Sequence, residues 1–243
     1  MAKQDQHPFY RDRISANHLI PFAVAIKETD LLIFADTPLM EEAKQAVLQY
    51  RHQLEAYIHK NPEFLNSLIP LSLDEYAPSM IKEMMRSAKM AHVGPMASVA
   101  GAVAEKVGTY LLNHTKQIVV ENGGDIFLHI SNEITIGIYA GNSPLSNKLG
   151  LKITSFHTPL GVCTSSGTVG HSISFGKSDA VTVIAPSASL ADATATAVGN
   201  LVKGRRDIDK GLKYAQNING IMGTLIIVDD TFGAWGNIDI VSL

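Results

Sequence analysis

The 243-residue chain sets 20 lysines and arginines against 23 aspartates and glutamates, a formal net charge of −3 with no basic run, so neither nucleic acid nor an anionic membrane surface would meet an electrostatic footprint. Hydrophobic residues at 46% and charged residues at 18% describe a globular protein, and the single cysteine, Cys163, excludes an intramolecular disulfide. No stretch reaches the roughly 18 apolar residues of a membrane span, and the polar start of the chain lacks a secretory apolar core, so the expected location is cytoplasmic.

Residues 20–36 show two apolar β runs joined by Lys27-Glu28-Thr29-Asp30, a hairpin signal. Thr37-Pro38 then supplies an N-cap followed by proline in the first helical position. Met40, Ala43, Val47, Tyr50, Leu54 and Ile58 recur at three- and four-residue spacing, which predicts a helix over 40–58. The segment 78–113 predicts two helices split near Gly94-Pro95. The first is rich in methionine, with Met80, Met84, Met85 and Met90 assigned to packing, and the second is crowded with small residues that permit close approach to a neighbour. β runs follow at 117–121, 125–130 and 133–139, then near 149–154, 160–163 and 181–185. Helices at 189–202 and 206–216 precede strands at 221–228 and 236–242, which are separated by Asp229-Asp230 and Gly233. A small-residue helix leads to a strand in both halves, at 96–121 and 189–228, so two similar interlocked halves are expected within one domain covering residues 1–243.

Three polar segments carry the candidate chemistry. In Glu121-Asn122-Gly123-Gly124-Asp125 the plain reading is a tight hairpin turn, since Asn-Gly and Gly-Gly supply positive φ. The functional reading is that Gly123 and Gly124 let backbone N–H groups approach a ligand while Asn122 and Asp125 anchor it. Thr164-Ser165-Ser166-Gly167-Thr168-Val169-Gly170-His171 is either a polar surface loop or a site for phosphate or a nucleophile, with His171 as a general base. The strand–turn–helix setting of a serine-hydrolase elbow is missing from it. In the third segment, a helix beginning near Ser189 would put Asp192 and Thr196 on one face, a carboxylate and a hydroxyl suited to Mg²⁺. The structural alternative there is a capping box from Ser189 to Asp192.

In order, VVENGGDIF and TSSGTVGHSISFGKSDAVTVIAPSASLADATATAVG resemble the ApbE-like superfamily of FAD:protein FMN transferases, and HVGPMASVAGAVAEKVGTYLL is similar to that family's small-residue helix. The resemblance covers about residues 92–200 and is closest to a short, cytoplasmic branch. It implies an α/β (α+β) ApbE-like fold with mixed, mostly antiparallel sheets packed with helices. It further implies Asp192 and Thr196 as Mg²⁺ ligands, joined by a backbone carbonyl from residues 97–100, with the metal on the pyrophosphate of FAD. Asn122, Gly123, Gly124 and Asp125 would line the flavin-nucleotide pocket, Thr164, Ser165, Ser166 and Gly167 would touch it from another side, and His171 and Asp192 would be catalytic. The family's Lys-Gly-Tyr-Ala-Val-Asp run is matched by Ala100-Gly101-Ala102-Val103-Ala104-Glu105, without the lysine and the tyrosine, and no Asp-Pro follows the histidine. The expected activity is Mg²⁺-dependent transfer of FMN from FAD to an acceptor protein, or cleavage of the FAD pyrophosphate. A non-catalytic flavin or nucleotide binder and a hydrolase using Ser165 or Ser166 with His171 are the alternatives, and the small-residue helices are compatible with a homodimer.

Overall fold

The computed structural model describes residues 14–167 and 176–243. In chain order the elements are β1 (Ile14–Ser15), β2 (Ile20–Ile26), β3 (Thr29–Ala35), α1 (Met40–Lys60), α2 (Glu63–Asn66), α3 (Ser79–Ala91) and α4 (Val99–Leu111). Then follow β4 (Ile118–Asn122), β5 (Asp125–His129), β6 (Ile134–Gly137), β7 (Leu149–Ile153), β8 (Leu160–Ser165) and β9 (Ala180–Ala185). The chain closes with α5 (Ala188–Leu201), α6 (Ile208–Gln216), β10 (Gly223–Val228), β11 (Thr231–Gly236) and β12 (Asp239–Ser242). Among the described residues no helix is long and apolar enough to cross a membrane.

Among the described residues all strand pairings are antiparallel, in an eight-stranded sheet ordered β11-β10-β9-β8-β5-β4-β3-β2 and a four-stranded sheet ordered β1-β6-β7-β12. Helices cover one face of the large sheet and the small sheet covers the other, so its central strands are buried on both sides. Alternate residues of β4 divide accordingly: Ile118 and Val120 join the core under the helices, while Val119 joins the core against the small sheet. Burial on both faces is why these strands appear in the sequence as continuous apolar runs rather than alternating ones, despite being antiparallel.

The large sheet is built twice over from one plan. β2 and β3, then helices, then β4 and β5 form one half; β8 and β9, then helices, then β10 and β11 form the other. The halves join where β5 pairs with β8. On the helical side α4 packs over β4 and β5, α5 over β8 and β9, and the two helices meet above that seam. Small residues make the approach possible. A Cβ on Gly161 would stand 2.2 Å from the Cα of Ala188, and one on Gly101 would stand 2.3 Å from the Ala188 carbonyl oxygen.

Several local expectations change. The first hairpin turns on Lys27-Glu28 alone, with Lys27 at φ 53°, and Thr29 and Asp30 already belong to β3. Thr37 does not cap α1; the helix starts after Leu39, whose buried side chain and φ of −120° keep the backbone out of the helix until Met40. Met80, Met84 and Met85 are core residues, but Met90 is exposed. The segment around Gly233 is a strand rather than a turn: β11 pairs along β10 from Thr231 to Gly236, the turn being Asp229-Asp230 only. Gly233 is there because α6 lies against it, a Cβ at this position falling 2.5 Å from Ile208 Cγ2.

The close seam contact gives a direct test. Gly161→Ala should lower the stability measured by denaturant unfolding by about 1–3 kcal/mol, since the added methyl overpacks a backbone contact. Gly204→Ala, with nothing within 4 Å of its Cβ position, should stay within about 0.5 kcal/mol of the parent. Equal midpoints for the two variants would contradict the packing described.

Candidate functional site

The NGGD segment is the two-residue turn between β4 and β5, with Asn122 and Asp125 as register partners and Gly123 and Gly124 at φ 66° and 104°. Positive φ at both central positions accounts for the two glycines. The amide of Gly124 does not face a ligand: it donates to Glu121 Oε1 at 2.7 Å. Glu121 is itself buried, and a buried carboxylate draws in whatever donors lie near it. Asn122 reaches across to α4, its Nδ2 donating to the Ala100 carbonyl at 3.0 Å.

Asp125 lies opposite Cys163 across the β5–β8 seam and is buried. The Thr164 amide donates to its carboxylate and the Cys163 thiol lies beside it, yet among the described residues Oδ1 is without a hydrogen-bond partner. Burial first, and the charge of Asp192 second, hold the Asp125 carboxyl well above the usual carboxylate range. Cys163 is the buried small side chain expected, with Sγ 3.2 Å from the Ala188 carbonyl oxygen. Burial and the two neighbouring carboxylates push its thiol up, so it is not an activated nucleophile.

Asp192 is on α5, with Thr196 one turn further on and half-buried. Its Oδ2 accepts the Gly101 N–H at 2.9 Å. Burial pushes its carboxyl up to about 7 against the opposing pull of the Gly101 and Ala100 amides. The expected capping box from Ser189 to Asp192 is absent. Ser187 caps α5, accepting from the Leu190 amide at 3.3 Å, whereas Ser189 is buried with Oγ 3.0 Å from Ser87 Oγ. Asp192 instead caps the other helix, since α4 has no side-chain cap of its own.

The exchange runs both ways. Glu105 of α4 accepts at Oε2 from the amides of Ala188 at 2.7 Å and Ser189 at 3.3 Å and from Ser187 Oγ at 3.0 Å, at the start of α5. Each helix therefore supplies the carboxylate that satisfies the other's free N-terminal amides. Glu83 of α3 closes the group, with Oε1 3.2 Å from Ser187 Oγ and Lys106 against Oε2. Burial, then the Glu83 charge, push the Glu105 carboxyl up to about 7. Residue types alone pointed to neither Glu105 nor Glu121; the only signal was a charged residue inside an otherwise apolar run.

The second loop divides. Thr164 meets the site through its backbone, while its Oγ1 lies 2.9 Å from Thr182 Oγ1 on the face turned to the small sheet, the side taken by Val162 two residues earlier. Ser165 is on the helical face, its Oγ 3.4 Å from where a Cβ on Gly199 would stand. Gly167 donates its amide to the Ser178 carbonyl at 2.9 Å, holding the loop's two ends together, and Ser166 is half-buried. His171, with Thr168, Val169 and Gly170, lies outside the described residues. Among the described residues no three His, Cys, Asp or Glu side chains converge as a metal cluster. Asn122, Asp125, Asp192 and the backbone of Thr164 are thus gathered at one end of the seam, at the N-terminus of α4.

A family model described as "AbpE bacteria" matches residues 11–222. Among relatives, a UPF0280 protein of Methanococcus vannielii is 47% identical over 221 residues, covering 88% of this chain and 90% of its own. One of Methanosarcina acetivorans is 40% identical over 216 residues, covering 88% and 85%. Among solved structures the chain is similar to the flavin transferase ApbE from Vibrio cholerae, with a TM-score of 0.59 and 14% identity, over 89% of this chain and 96% of that one. It is also similar to the flavinyl transferase ApbE from Pseudomonas stutzeri, in its apo form, with a TM-score of 0.58 and 17% identity over 89% and 93%. At such identities the likeness is one of fold, and it bears out the mixed α and β architecture with antiparallel sheets.

Glu105 makes the cross-capping measurable. The unfolded chain gives up this proton near 4.5 and the folded chain near 7, so its stabilising contribution is complete below about 4.5 and is lost as pH rises through about 7. The thermal midpoint should fall over that window, and Glu105→Gln, which keeps an acceptor oxygen and removes the charge, should make the decline shallower. Identical pH slopes would remove Glu105 from the account.

Proposed function

The chain belongs to the family described as "AbpE bacteria", and we propose from this that it acts, with Mg²⁺, on the phosphoanhydride of FAD in the cytoplasm. The reaction is either transfer of FMN to a hydroxyl of an acceptor protein or hydrolysis to FMN and AMP. One observation carries the reading: Asp192, one turn before Thr196, is fixed at the N-terminus of α4 beside the turn that bears Asn122 and Asp125.

The donor set fits a hard cation. The Asp192 carboxylate, the Thr196 hydroxyl and a backbone carbonyl from residues 97–100 are all oxygen donors, and among the described residues two buried carboxylates stand here with no lysine or arginine among the groups that shift them. When bound, Mg²⁺ would neutralise charge on the pyrophosphate and so lower the barrier to its cleavage. The protein's own part is to position. The Gly101 and Ala100 amides hold Asp192, and Asn122 holds the first turn of α4 through Ala100. The turn of Gly123 and Gly124 and the end of β8 from Thr164 to Gly167 would contact the flavin nucleotide. The nucleophile's oxygen forms a bond to the FMN phosphorus as the anhydride P–O bond breaks. AMP leaves with that electron pair, and the proton of the attacking hydroxyl or water goes to solvent or to His171.

A second reading, a flavin or nucleotide binder without turnover, is favoured by Ala100 and Ala102 standing where the resembling family carries lysine and tyrosine. Incubation of the purified protein with FAD separates the two. Release of FMN and AMP, or a protein mass gain of one FMN, only with Mg²⁺ is the expected result; FAD bound but unchanged points to the binder. Asp192→Asn, which keeps an acceptor for the Gly101 amide, should cut metal-dependent turnover about 100-fold or more, the scale of losing one transition-state electrostatic contact. Undiminished turnover in a folded variant would end the assignment of Asp192.

A further inference from the structure

Asp125 is the group that the reading above leaves without adequate explanation. Its place at the β4–β5 turn requires no charge, since positive φ is supplied by the two glycines before it and its own backbone is in the ladder opposite Asn122 and Cys163. The residue is 8% exposed, and Oδ1 is the one buried carboxylate oxygen without a hydrogen-bond partner among the described residues. Carried as a charge in such a place, a carboxylate is strongly unfavourable unless it is paired or ligates a metal, and otherwise it keeps its proton.

Three contacts fix where that oxygen belongs. Asn122, the register partner of Asp125, is bonded to Ala100 at 3.0 Å, and the next residue, Gly101, is bonded to Asp192 at 2.9 Å. Cys163, the partner of Asp125 on the other side, touches the carbonyl of Ala188, one helical turn before Asp192, at 3.2 Å. Asp125 and Asp192 are therefore tied by the same short frame from both sides, close enough for the charge of Asp192 to act on Asp125. Two carboxylates brought together out of water repel each other, and a divalent cation between them converts the repulsion into ligation.

We propose that Asp125 is a direct second carboxylate ligand of the cation, through Oδ1, so that the two halves of the fold each contribute one acidic ligand and the cation binds before, and independently of, any nucleotide. The inference rests on the metal reading of Asp192 and Thr196 and extends it, moving Asp125 from the wall of the flavin pocket to the metal. With two carboxylates the site carries enough charge to hold Mg²⁺ or Mn²⁺ with no phosphate present, whereas a site of one carboxylate, a hydroxyl and a carbonyl would depend on the pyrophosphate for its remaining charge.

The test is titration of the full chain with Mn²⁺, by calorimetry and by the electron paramagnetic resonance of the free ion, with no flavin in solution. The parent should take up one Mn²⁺. Asp125→Asn, which is isosteric, keeps an acceptor for the Thr164 amide and removes a repelling charge, should fold with an undiminished thermal midpoint and bind Mn²⁺ at least about tenfold more weakly, the lower bound of what loss of even an outer-shell partner costs a metal site. Equal affinities in parent and variant would overturn the role of Asp125 while leaving the metal reading of Asp192 intact. Binding by the parent only when FAD is added would also overturn it and keep that reading. No Mn²⁺ binding under either condition would end both. Anomalous scattering from Mn²⁺ in crystals of the parent decides without any variant, placing the ion within ligand distance of Asp125 Oδ1 or away from it.

Discussion

The exchange of carboxylates between α4 and α5 is the constraint from which the rest of this structure follows. Two helices that cross over a sheet seam bury their N-terminal amides, and those amides must find acceptors. Asp192 serves α4 and Glu105 serves α5. For each carboxylate to reach, the helices must approach at the thickness of a backbone, which is why Gly101 and Ala188 meet there and why Gly161 lies beneath. The small residues are thus not filler; they set the distance at which the caps can form.

The crossing stands over the line where the two halves of the large sheet join, and this explains why the polar groups collect there. Each half brings a helix N-terminus and a strand end to the seam, so residues far apart in the chain meet: Gly101 with Asp192, Asn122 with Ala100, Asp125 with Cys163. A site at such a junction is held by rigid elements on both sides. The loop following Ser165 is tied at its base by the Gly167 and Ser178 backbone and by the close packing of Gly176 on Gly199 of α5, so the end of β8 is anchored to the same helix that carries Asp192.

Much of this was legible beforehand wherever one residue type has one physical use. Asn-Gly-Gly-Asp between two apolar runs announced the β4–β5 turn, and the four-residue interval from Asp192 to Thr196 put both on one side of α5. What escaped was whatever depends on a partner distant in sequence. Asp192 near a helix start looks like a cap for its own helix, and only the fold brings Gly101, 91 residues away, to receive it. Gly233 looks like a turn until α6 is seen lying on it, and Leu39 looks like the second residue of a helix until its side chain is seen in the core. Thr164 and Ser165 are neighbours in one polar run, yet strand alternation sends their side chains to opposite faces, a division the loop's composition hides.

The separate fates of the two acidic pairs sharpen the functional argument. Glu105 and Glu83 are surrounded by donors: the amides of Ala188 and Ser189, the Ser187 hydroxyl and the Lys106 ammonium. That group is accounted for by structure alone, because removing Glu105 would strand helix amides and removing Glu83 would take away the carboxylate that faces Lys106. Asp192 and Asp125 are not so provided. Among the described residues Asp192 has amides of α4 but no cationic group acting on it, and Asp125 keeps an oxygen without a hydrogen-bond partner in the protein interior. A fold needing only a cap and a turn could have used asparagine or serine at both places without the cost of burying two like charges side by side. Charge retained where packing and hydrogen bonding do not ask for it is the mark of a site that meets an ion or a reacting group, and in this chain that mark falls on the seam and not on the neighbouring glutamates.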